Sequence, residues 1–290
     1  MASWRNATAS PATTSPATVR GLLRPEETAR VAGLRRDAAV SPVLQPFVER
    51  YWSVSWDRRG LPPYRSEVLS HPSVNLSVET GSEPRFGAVL PAVLLHDVVP
   101  RRFVVDLTGT GRVTAAKFRP GGWVAMGGRA PGRGAVVPLE GHLPGLDAAA
   151  LLPAVLAGED DDARAAVLDA ALAPLAPDPS PAYRDLQALL ERMAADRELV
   201  RVDQVAALAG VGVRSLQRLF AGVVGLSPKA VLARYRLMDA AAAIDGGEVS
   251  DLAGLAVSLG WFDQAHFSRD FRSVVGVTPS AYLARARAGR

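Results

Sequence analysis

Cysteine is absent from this sequence of 290 residues. Disulfide bonds, zinc sites with thiolate ligands and cysteine nucleophiles are therefore excluded together. The sequence also lacks any run of eighteen apolar residues, and its first twenty residues contain no apolar segment of the kind found in signal peptides. These absences predict a cytoplasmic protein with no membrane span and no secretory signal.

A large excess of charge of either sign is also absent. The 33 Lys and Arg residues stand against 29 Asp and Glu residues, which leaves a net charge of +4. Residues 201–290 contain eleven Lys or Arg and seven Asp or Glu, so this segment carries the whole excess. Such a segment is typical of a phosphate-binding surface, although an ordinary solvated surface has the same signature. The length and the hydrophobic content of 48% predict about two packed domains.

Residues 251–290 have the pattern of two short helices joined by a tight turn. An apolar helix runs into Gly260, which is expected to end it with a positive φ, and Ser250 is expected to cap its start. A second helix is expected to begin near Asp263, with one apolar stripe made by Phe267, Phe271 and Val274. This arrangement predicts a helix-turn-helix, whose second helix can lie in a DNA major groove.

The pattern occurs twice. Residues 220–236 (FAGVVGLSPKAVLARYR) align with residues 271–287 (FRSVVGVTPSAYLARAR), and ten of these seventeen positions are identical. Upstream, residues 205–210 match residues 255–260 once the second turn is allowed one extra residue. Each copy ends with a Ser-Pro or Thr-Pro pair that favours the start of a further helix. The duplication therefore predicts two consecutive helix-turn-helix units.

Within residues 203–287, the run GWFDQAHFSRDF (260–271) followed by GVTPSAY (276–282) is close to the pattern G-(aromatic)-x-D-x-x-x-F-x-R-x-F…G-x-x-P-x-x-Y. This segment resembles the DNA-binding domain of the AraC/XylS family of bacterial transcription regulators. The resemblance implies a sequence-specific transcription regulator and not an enzyme. It places the DNA-binding domain at about 182–290, with helix-turn-helix units at about 202–223 and 251–274. The missing cysteine separates the chain from relatives that transfer a methyl group to a cysteine during DNA repair.

Helical period assigns an inner and an outer face to each recognition helix. In residues 213–223, Leu216, Leu219 and Phe220 are expected to face the core, and in the second unit Phe267 and Phe271 do the same. The outward positions, which also match DNA-contacting positions of the family, are Arg214, Ser215, Gln217, Arg218, Asp263, Gln264, His266 and Arg269.

Several of these outward residues have more than one interpretation. Arg214 and Arg218 suit guanine edges, and Gln217 or Gln264 suits adenine. Arg269 recurs as Arg218 in the repeat, so phosphate binding or bracing of the fold is an alternative. For Asp263 the alternative is a helix cap, and for His266 it is an exposed side chain with no reading role. Trp261 and Phe262 are interpreted as core and turn residues.

Residues 20–145 contain short alternating segments with Gly and Pro turns, which predict a β-rich, barrel-like domain. The complete fold class is therefore α+β, a β-rich domain with flanking helices followed by an all-α domain. Residues 74–79 alternate apolar residues with Asn75, Ser77 and Glu79, which predicts a strand with one face in water. Residues 102–107 and 112–118 flank Thr-Gly-Thr-Gly and predict a hairpin. Residues 1–19 are predicted to be a disordered tail.

The β-rich segment is interpreted as a sensor domain that binds a small effector or, alternatively, as a domain with a metal site. Four short segments carry a resemblance over about residues 20–140: Trp52 to Trp56, Pro63-Tyr64-Arg65, HPSVN (71–75) and KFRPGG (117–122). The segment resembles an N-terminal domain of unassigned role that precedes AraC-type modules in many actinobacterial proteins, which implies a barrel related to the family's sugar-binding arms. The candidate ligand-binding residues are Trp52, Trp56, Tyr64, Arg65 and Asn75, although aromatic core packing explains the Trp pair equally well. The alternative is a cupin-like metal-binding or enzymatic module built from His71, His96, His142, Glu67, Glu79 and Asp97. Two His residues spaced two apart on one strand are absent, so we expect no metal, no cofactor and no catalytic residue.

Two helices are predicted at 148–156 and 163–175, with the acidic run 160–162 capping the second. They either pair two subunits or cover the barrel. A Pro-rich linker (176–181) leads to a helix at 183–195 that would open the DNA-binding domain. The expected partner is double-stranded DNA of a promoter or operator. RNA polymerase, a small-molecule effector and a second copy of the chain are further candidate partners, and a membrane is not.

Overall fold

The computed structural model describes residues 21–288, and the tail predicted at 1–19 lies outside them. The described residues form eight strands, which are β1 (Gly33–Ala38), β2 (Val48–Arg58), β3 (Tyr64–Val68), β4 (Asn75–Gly81), β5 (Ala92–His96), β6 (Phe103–Leu107), β7 (Gly109–Phe118) and β8 (Val136–Pro138). Their helices are α1 (Pro25–Ala29), α2 (Gly122–Ala125), α3 (Ala148–Leu156), α4 (Asp161–Leu172), α5 (Pro181–Ala195), α6 (Val202–Leu208), α7 (Val213–Leu219), α8 (Pro228–Gly246), α9 (Leu252–Ser258), α10 (Gln264–Val275) and α11 (Pro279–Ala288). The predicted fold class, a β-rich domain followed by a helical one, is confirmed.

The β domain consists of two sheets that enclose a small core. Six strands pair in the order β1-β2-β7-β4-β5-β8, and β3 pairs with β6 in a second sheet. Side chains from both sheets meet between them, including Trp56 and Val113 from the large sheet and Leu107 from the small one. The opposite face of the large sheet belongs to the main hydrophobic core, which continues into the helices.

The predicted wet face of β4 is wrong, because this face is buried. Ser77 and Glu79 are each only 1% exposed. Glu79 accepts a hydrogen bond from Ser77 Oγ at 2.9 Å, lies 3.0 Å from His96 Nε2 and forms an ion pair with Arg85 at 3.0 Å. His96 and Arg85 come from the following strand and loop, so the polar alternation marks a buried network between the sheets rather than a solvated face.

The predicted hairpin at 102–118 is also wrong. β6 pairs with β3 in the small sheet, whereas β7 pairs with β2 and β4 in the large one. The Thr-Gly-Thr-Gly segment mostly belongs to β7, and the Trp56 ring occupies the space where Gly111 would otherwise carry a side chain. The chain therefore crosses between sheets at residue 108, and long-range pairing overrides the local turn signal.

Helices α3 and α4 lie on the β domain, which matches one of the two alternatives for this segment. Asp169 of α4 accepts hydrogen bonds from the Tyr51 hydroxyl at 3.0 Å and from the Ser41 backbone N–H at 2.9 Å. Asp160 caps α4 as predicted, with its side chain accepting from the Ala163 N–H at 2.8 Å. Pairing of two subunits through the outer faces of these helices stays a prediction.

The C-terminal helices contain the predicted duplication. The two copies share a positive φ at the equivalent glycines, 80° at Gly225 and 86° at Gly276, where each recognition helix ends. Gly260 also has the predicted positive φ, 81°. The cap of α9 differs from the prediction: Asp251, not Ser250, accepts hydrogen bonds from the N–H groups of Ala253 and Gly254. The Asp251 carboxylate, at the position immediately before the helix, reaches both N–H groups, whereas Ser250, one residue earlier, reaches neither.

No single helix among residues 21–288 has the length and apolar character needed to cross a membrane, and only the bent pair α6 and residues 213–224 meets those criteria jointly.

Candidate nucleic-acid interface

The first recognition helix, α7, is anchored from behind by two buried side chains. Leu216 and Phe220 are fully buried, as predicted from their spacing of four residues. The prediction for Leu219 is wrong, since this side chain is 38% exposed. It lies at the edge of the stripe, and residues 220–224 continue as a π-helical turn that changes the helical period there.

The second recognition helix, α10, is anchored by an aromatic cluster. Phe267 and Phe271 are fully buried and lie edge to face with ring centroids 5.5 Å apart. Trp261 and Tyr282 extend the cluster at 5.0 and 5.6 Å from the nearer of these rings. Aromatic pairs at these separations stabilise one packing geometry, so they fix the orientation of α10 in its domain.

All eight predicted DNA-contacting residues are exposed. The side chains of Arg214, Gln217, Gln264 and Arg269 have no hydrogen-bond or ion-pair partner within the described range, 21–288. The outer faces of α7 and α10 therefore present unpaired donors and acceptors to solvent.

The remaining predicted residues already have intramolecular contacts. Asp263 caps α10, with its carboxylate 2.6 Å from the His266 N–H, which favours the capping alternative. The His266 ring lies 3.4 Å from Asp270, which also accepts a hydrogen bond from the Trp261 indole at 2.9 Å. Arg218 approaches Ser215 Oγ at 3.4 Å.

The long helix α8 links the two units and holds the second turn in place. Arg236 of α8 donates to the Gly260 carbonyl at 3.0 Å, and its guanidinium lies 4.4 Å from the centre of the Trp261 ring. A cation over an indole face is favourable, particularly when it is partly desolvated. Helix α8 therefore fixes the start of α10 relative to the first unit.

The β domain contacts both recognition helices at their C-terminal ends. The Arg102 N–H donates to the Val274 carbonyl at 3.0 Å, and any side chain at position 276 would overlap Arg102. In the first unit, Gly225 packs against Val98. A β-carbon added at Gly225 would lie 3.5 Å from the Val98 side chain. Residues 98–102 of the β domain thus touch the C-terminal ends of both recognition helices.

A buried arginine at the domain junction was missed by sequence reasoning. Arg234 of α8 is 2% exposed and donates to three carbonyls of the β domain, those of Ser70 at 2.9 Å, Val99 at 2.6 Å and Arg101 at 3.3 Å. Burial lowers its pKa to about 10, so it remains charged at neutral pH. Its repeat equivalent, Arg285, is exposed, so the duplication gives no signal that separates the two.

The sequence-predicted ligand residues of the β domain divide into two groups. Trp52, Trp56 and Tyr64 line the small core between the sheets, and the Trp52 indole donates to Asn75 at 3.1 Å. Arg65 is exposed and forms an ion pair with Asp106 at 2.9 Å on the outer side. The structure therefore brings four of the five together and leaves Arg65 outside.

The histidines of the alternative metal site do not converge. His71 lies 3.7 Å from Glu49 near α8, His96 contacts Glu79 between the sheets, and His142 bonds to the Arg129 carbonyl. Across residues 21–288, no cluster of three or more His, Asp or Glu side chains is arranged to hold a metal ion.

Each of the two domains matches a family model. Residues 205–285 match the family model of a helix-turn-helix domain, and residues 38–132 match a domain of unknown function (DUF6597). Among solved structures, a probable AraC family transcriptional regulator from Rhodopseudomonas palustris is 28% identical, over 36% of this chain and 97% of its own length, with a TM-score of 0.33.

Two further solved structures are similar. The DNA-binding domain of AdpA, solved in complex with a target DNA, is 24% identical over 38% of this chain and 96% of its own, with a TM-score of 0.33. ToxT from Vibrio cholerae is 11% identical over 87% of this chain and 97% of its own, with a TM-score of 0.40. The family matches show that this chain joins an N-terminal DUF6597 domain to a C-terminal helix-turn-helix domain of the AraC type.

Proposed function

We propose that this protein is a sequence-specific transcription regulator that reads two successive major-groove segments with α7 and α10. The observation that carries the proposal is the contrast between the two faces of these helices. Their inner faces hold fully buried Leu216, Phe220, Phe267 and Phe271, whereas their outer faces carry unpaired Arg and Gln side chains. Unpaired polar groups cost nothing in water and are available to base edges.

The exposed side chains have the chemistry of direct readout. Arginine donates two hydrogen bonds to guanine O6 and N7, and glutamine pairs with adenine N6 and N7. Arg214 and Gln217 of α7 offer both types, and Gln264 offers one at the start of α10. Arg269 and Arg272 are exposed further along α10 and suit phosphate contacts, which fix register without specifying sequence.

Both readers belong to one chain, so a monomer would engage two major-groove segments about 34 Å apart on one face of the duplex. Helix α8 supports this arrangement, because it connects the units rigidly and anchors the second turn through Arg236. A dimer, if the chain forms one, would bind direct or inverted repeats of that unit.

We further propose that the β domain modulates DNA binding through residues 98–102. These residues touch the C-terminal ends of both recognition helices, and Arg234 anchors α8 to the same segment through Val99 and Arg101. A small molecule held near Trp52, Trp56, Tyr64 and Asn75 would act on both sheets, and residues 98–102 connect β5 of the large sheet with β6 of the small one. Such a ligand would shift the equilibrium between a DNA-binding and a non-binding arrangement of the two domains. The size of that shift is limited by the difference between its binding free energies for the two arrangements.

Arg214→Ala tests the reading role. We expect a loss of specific binding free energy of about 1–3 kcal/mol, with a much smaller change on random DNA, because a guanine contact specifies sequence. Arg133→Ala, which removes another exposed arginine, this one from the β domain, is the matched control for charge. Full-length variants are titrated by fluorescence anisotropy on DNA selected from a random pool and on a scrambled duplex.

Equal losses for Arg214→Ala on selected and scrambled DNA would contradict base reading by this side chain. A loss of the same size for Arg133→Ala would assign the effect to net charge rather than to α7.

A further inference from the structure

One aromatic side chain of the helical domain is held in solvent. Phe262 is 89% exposed. The other seven aromatic residues between 181 and 288 are at most 5% exposed, and they are Tyr183, Phe220, Tyr235, Trp261, Phe267, Phe271 and Tyr282. Exposing a whole phenyl ring forgoes the free energy gained by burying it, so the position demands a physical reason.

The local geometry keeps Phe262 from folding inward. Its predecessor, Trp261, is buried and is fixed by the Asp270 carboxylate at 2.9 Å and by the Arg236 guanidinium at 4.4 Å. Its successor, Asp263, is fixed by its cap on the His266 N–H. With both neighbours anchored, the ring at 262 has to point away from the core.

Phe262 lies at the end of α10 that DNA would meet. It immediately precedes the cap residue of α10, two positions before the exposed Gln264. The β domain contacts the other end of this helix, at Val274 and Gly276. In helix-turn-helix proteins, the N-terminal residues of the recognition helix are the ones that contact base edges.

The first unit has an apolar residue at the same place. The cap residue of α7 is Gly212, and Val211 before it is 43% exposed. Both units therefore present an apolar side chain at the start of the recognition helix, beside polar residues suited to base edges.

On the basis of the proposed function, we propose that Phe262 contacts the C5-methyl group of a thymine in the second DNA segment. The thymine methyl is the apolar feature that base edges display in the major groove, and phenylalanine is among the side chains that contact it. Exposed Gln264, His266 and Arg269 follow on α10 in a segment of net positive charge, which suits a polyanionic partner better than an apolar protein surface. Phe262 thus adds thymine specificity to a helix whose other readers are polar.

Replacement of thymine by deoxyuridine tests this contact, because it removes the methyl group alone. Full-length protein is titrated on selected DNA in which each thymine of the second segment is replaced in turn. For the wild type, we expect one replacement to weaken binding about fourfold, the value of one buried methyl group. Phe262→Ala should bind thymine DNA about tenfold more weakly and be insensitive to that same replacement.

Val257→Ala, which trims another exposed apolar side chain of the second unit (64% exposed), is the matched control and should keep the wild-type sensitivity. Phe262→Ala should unfold at the wild-type temperature, because so exposed a ring contributes little to stability.

The contact is overturned if Phe262→Ala keeps the wild-type sensitivity to deoxyuridine, or binds as tightly as the wild type. The second result would point to a protein partner for the ring. If the wild type shows no preference for selected over scrambled DNA, the proposed function fails, and this contact fails with it.

Discussion

The buried Arg234 makes the junction of the two domains testable by one substitution. Arg234→Met keeps most of the side-chain volume but removes the guanidinium that donates to the carbonyls of Ser70, Val99 and Arg101. Hydrogen bonds from charged groups contribute about 1.5–3 kcal/mol each, and carbonyls left unpaired in the interface add a cost. Part of this loss is offset, because the variant no longer buries a charge.

From these opposing effects we expect Arg234→Met to lower the free energy of unfolding by about 3 kcal/mol. The chain supplies its own control in Arg285→Met, which changes the equivalent position of the repeat, where the side chain is exposed. Exposed substitutions of this kind usually change stability by less than about 0.5 kcal/mol.

Urea unfolding followed by tryptophan fluorescence and circular dichroism measures both variants. Three tryptophans, Trp52, Trp56 and Trp123, report on the β domain, and Trp261 reports on the second helix-turn-helix unit. Since one hydrophobic core runs through both domains, the wild type should unfold in a single transition, and Arg234→Met should show separate transitions. Equal stability of Arg234→Met and Arg285→Met would refute the inference that this arginine holds the domains together.

Two further predictions concern stability. Asp251→Ala should lower the free energy of unfolding by about 0.5–2 kcal/mol, because Asp251 caps α9 through two N–H groups. Ser250→Ala should leave this free energy nearly unchanged. Comparable losses for the two variants in urea titrations would contradict the observed cap. Burial lowers the pKa of His71 despite the opposing effect of the Glu49 carboxylate, so the native state favours the neutral ring. In the unfolded chain, the histidine ring takes up its proton near pH 6.5. The free energy of unfolding of the wild type should therefore fall as the pH drops from 7.5 to 5.5, and that of His71→Gln should fall less over the same range. Parallel pH profiles of the two proteins would show that His71 plays no part.

The helical domain was predictable because its signals are local. The spacing of Leu216 and Phe220, and of Phe267 and Phe271, specifies which face of each recognition helix is buried. The positive φ of Gly260 follows equally from its place at the end of a short apolar helix. Two assignments in this domain were wrong. Asp251 rather than the predicted Ser250 caps α9, although both residues are good caps by type, and Leu219 is exposed at the edge of its apolar stripe.

The β domain was less predictable because its partners are distant in sequence. Glu79 looks like a solvated residue until Arg85 and His96 are brought beside it. The segment at 102–118 has a hairpin signal, yet β6 finds its partner 35 or more residues upstream in β3. Arg234 was missed for a related reason, since its acceptors belong to loops of another domain. Pairing over such separations is set by the whole fold and leaves no local pattern.

The spacing of the two DNA segments tests the central claim most directly. Full-length protein is first used to select bound duplexes from a random pool, and five base pairs are then inserted between the two selected blocks. Two readers fixed in one chain predict two blocks about one helical turn apart, and a loss of specific affinity of about 100-fold or more when the insertion moves one block to the opposite face. A single selected block, or an unchanged affinity after the insertion, would contradict reading by paired recognition helices.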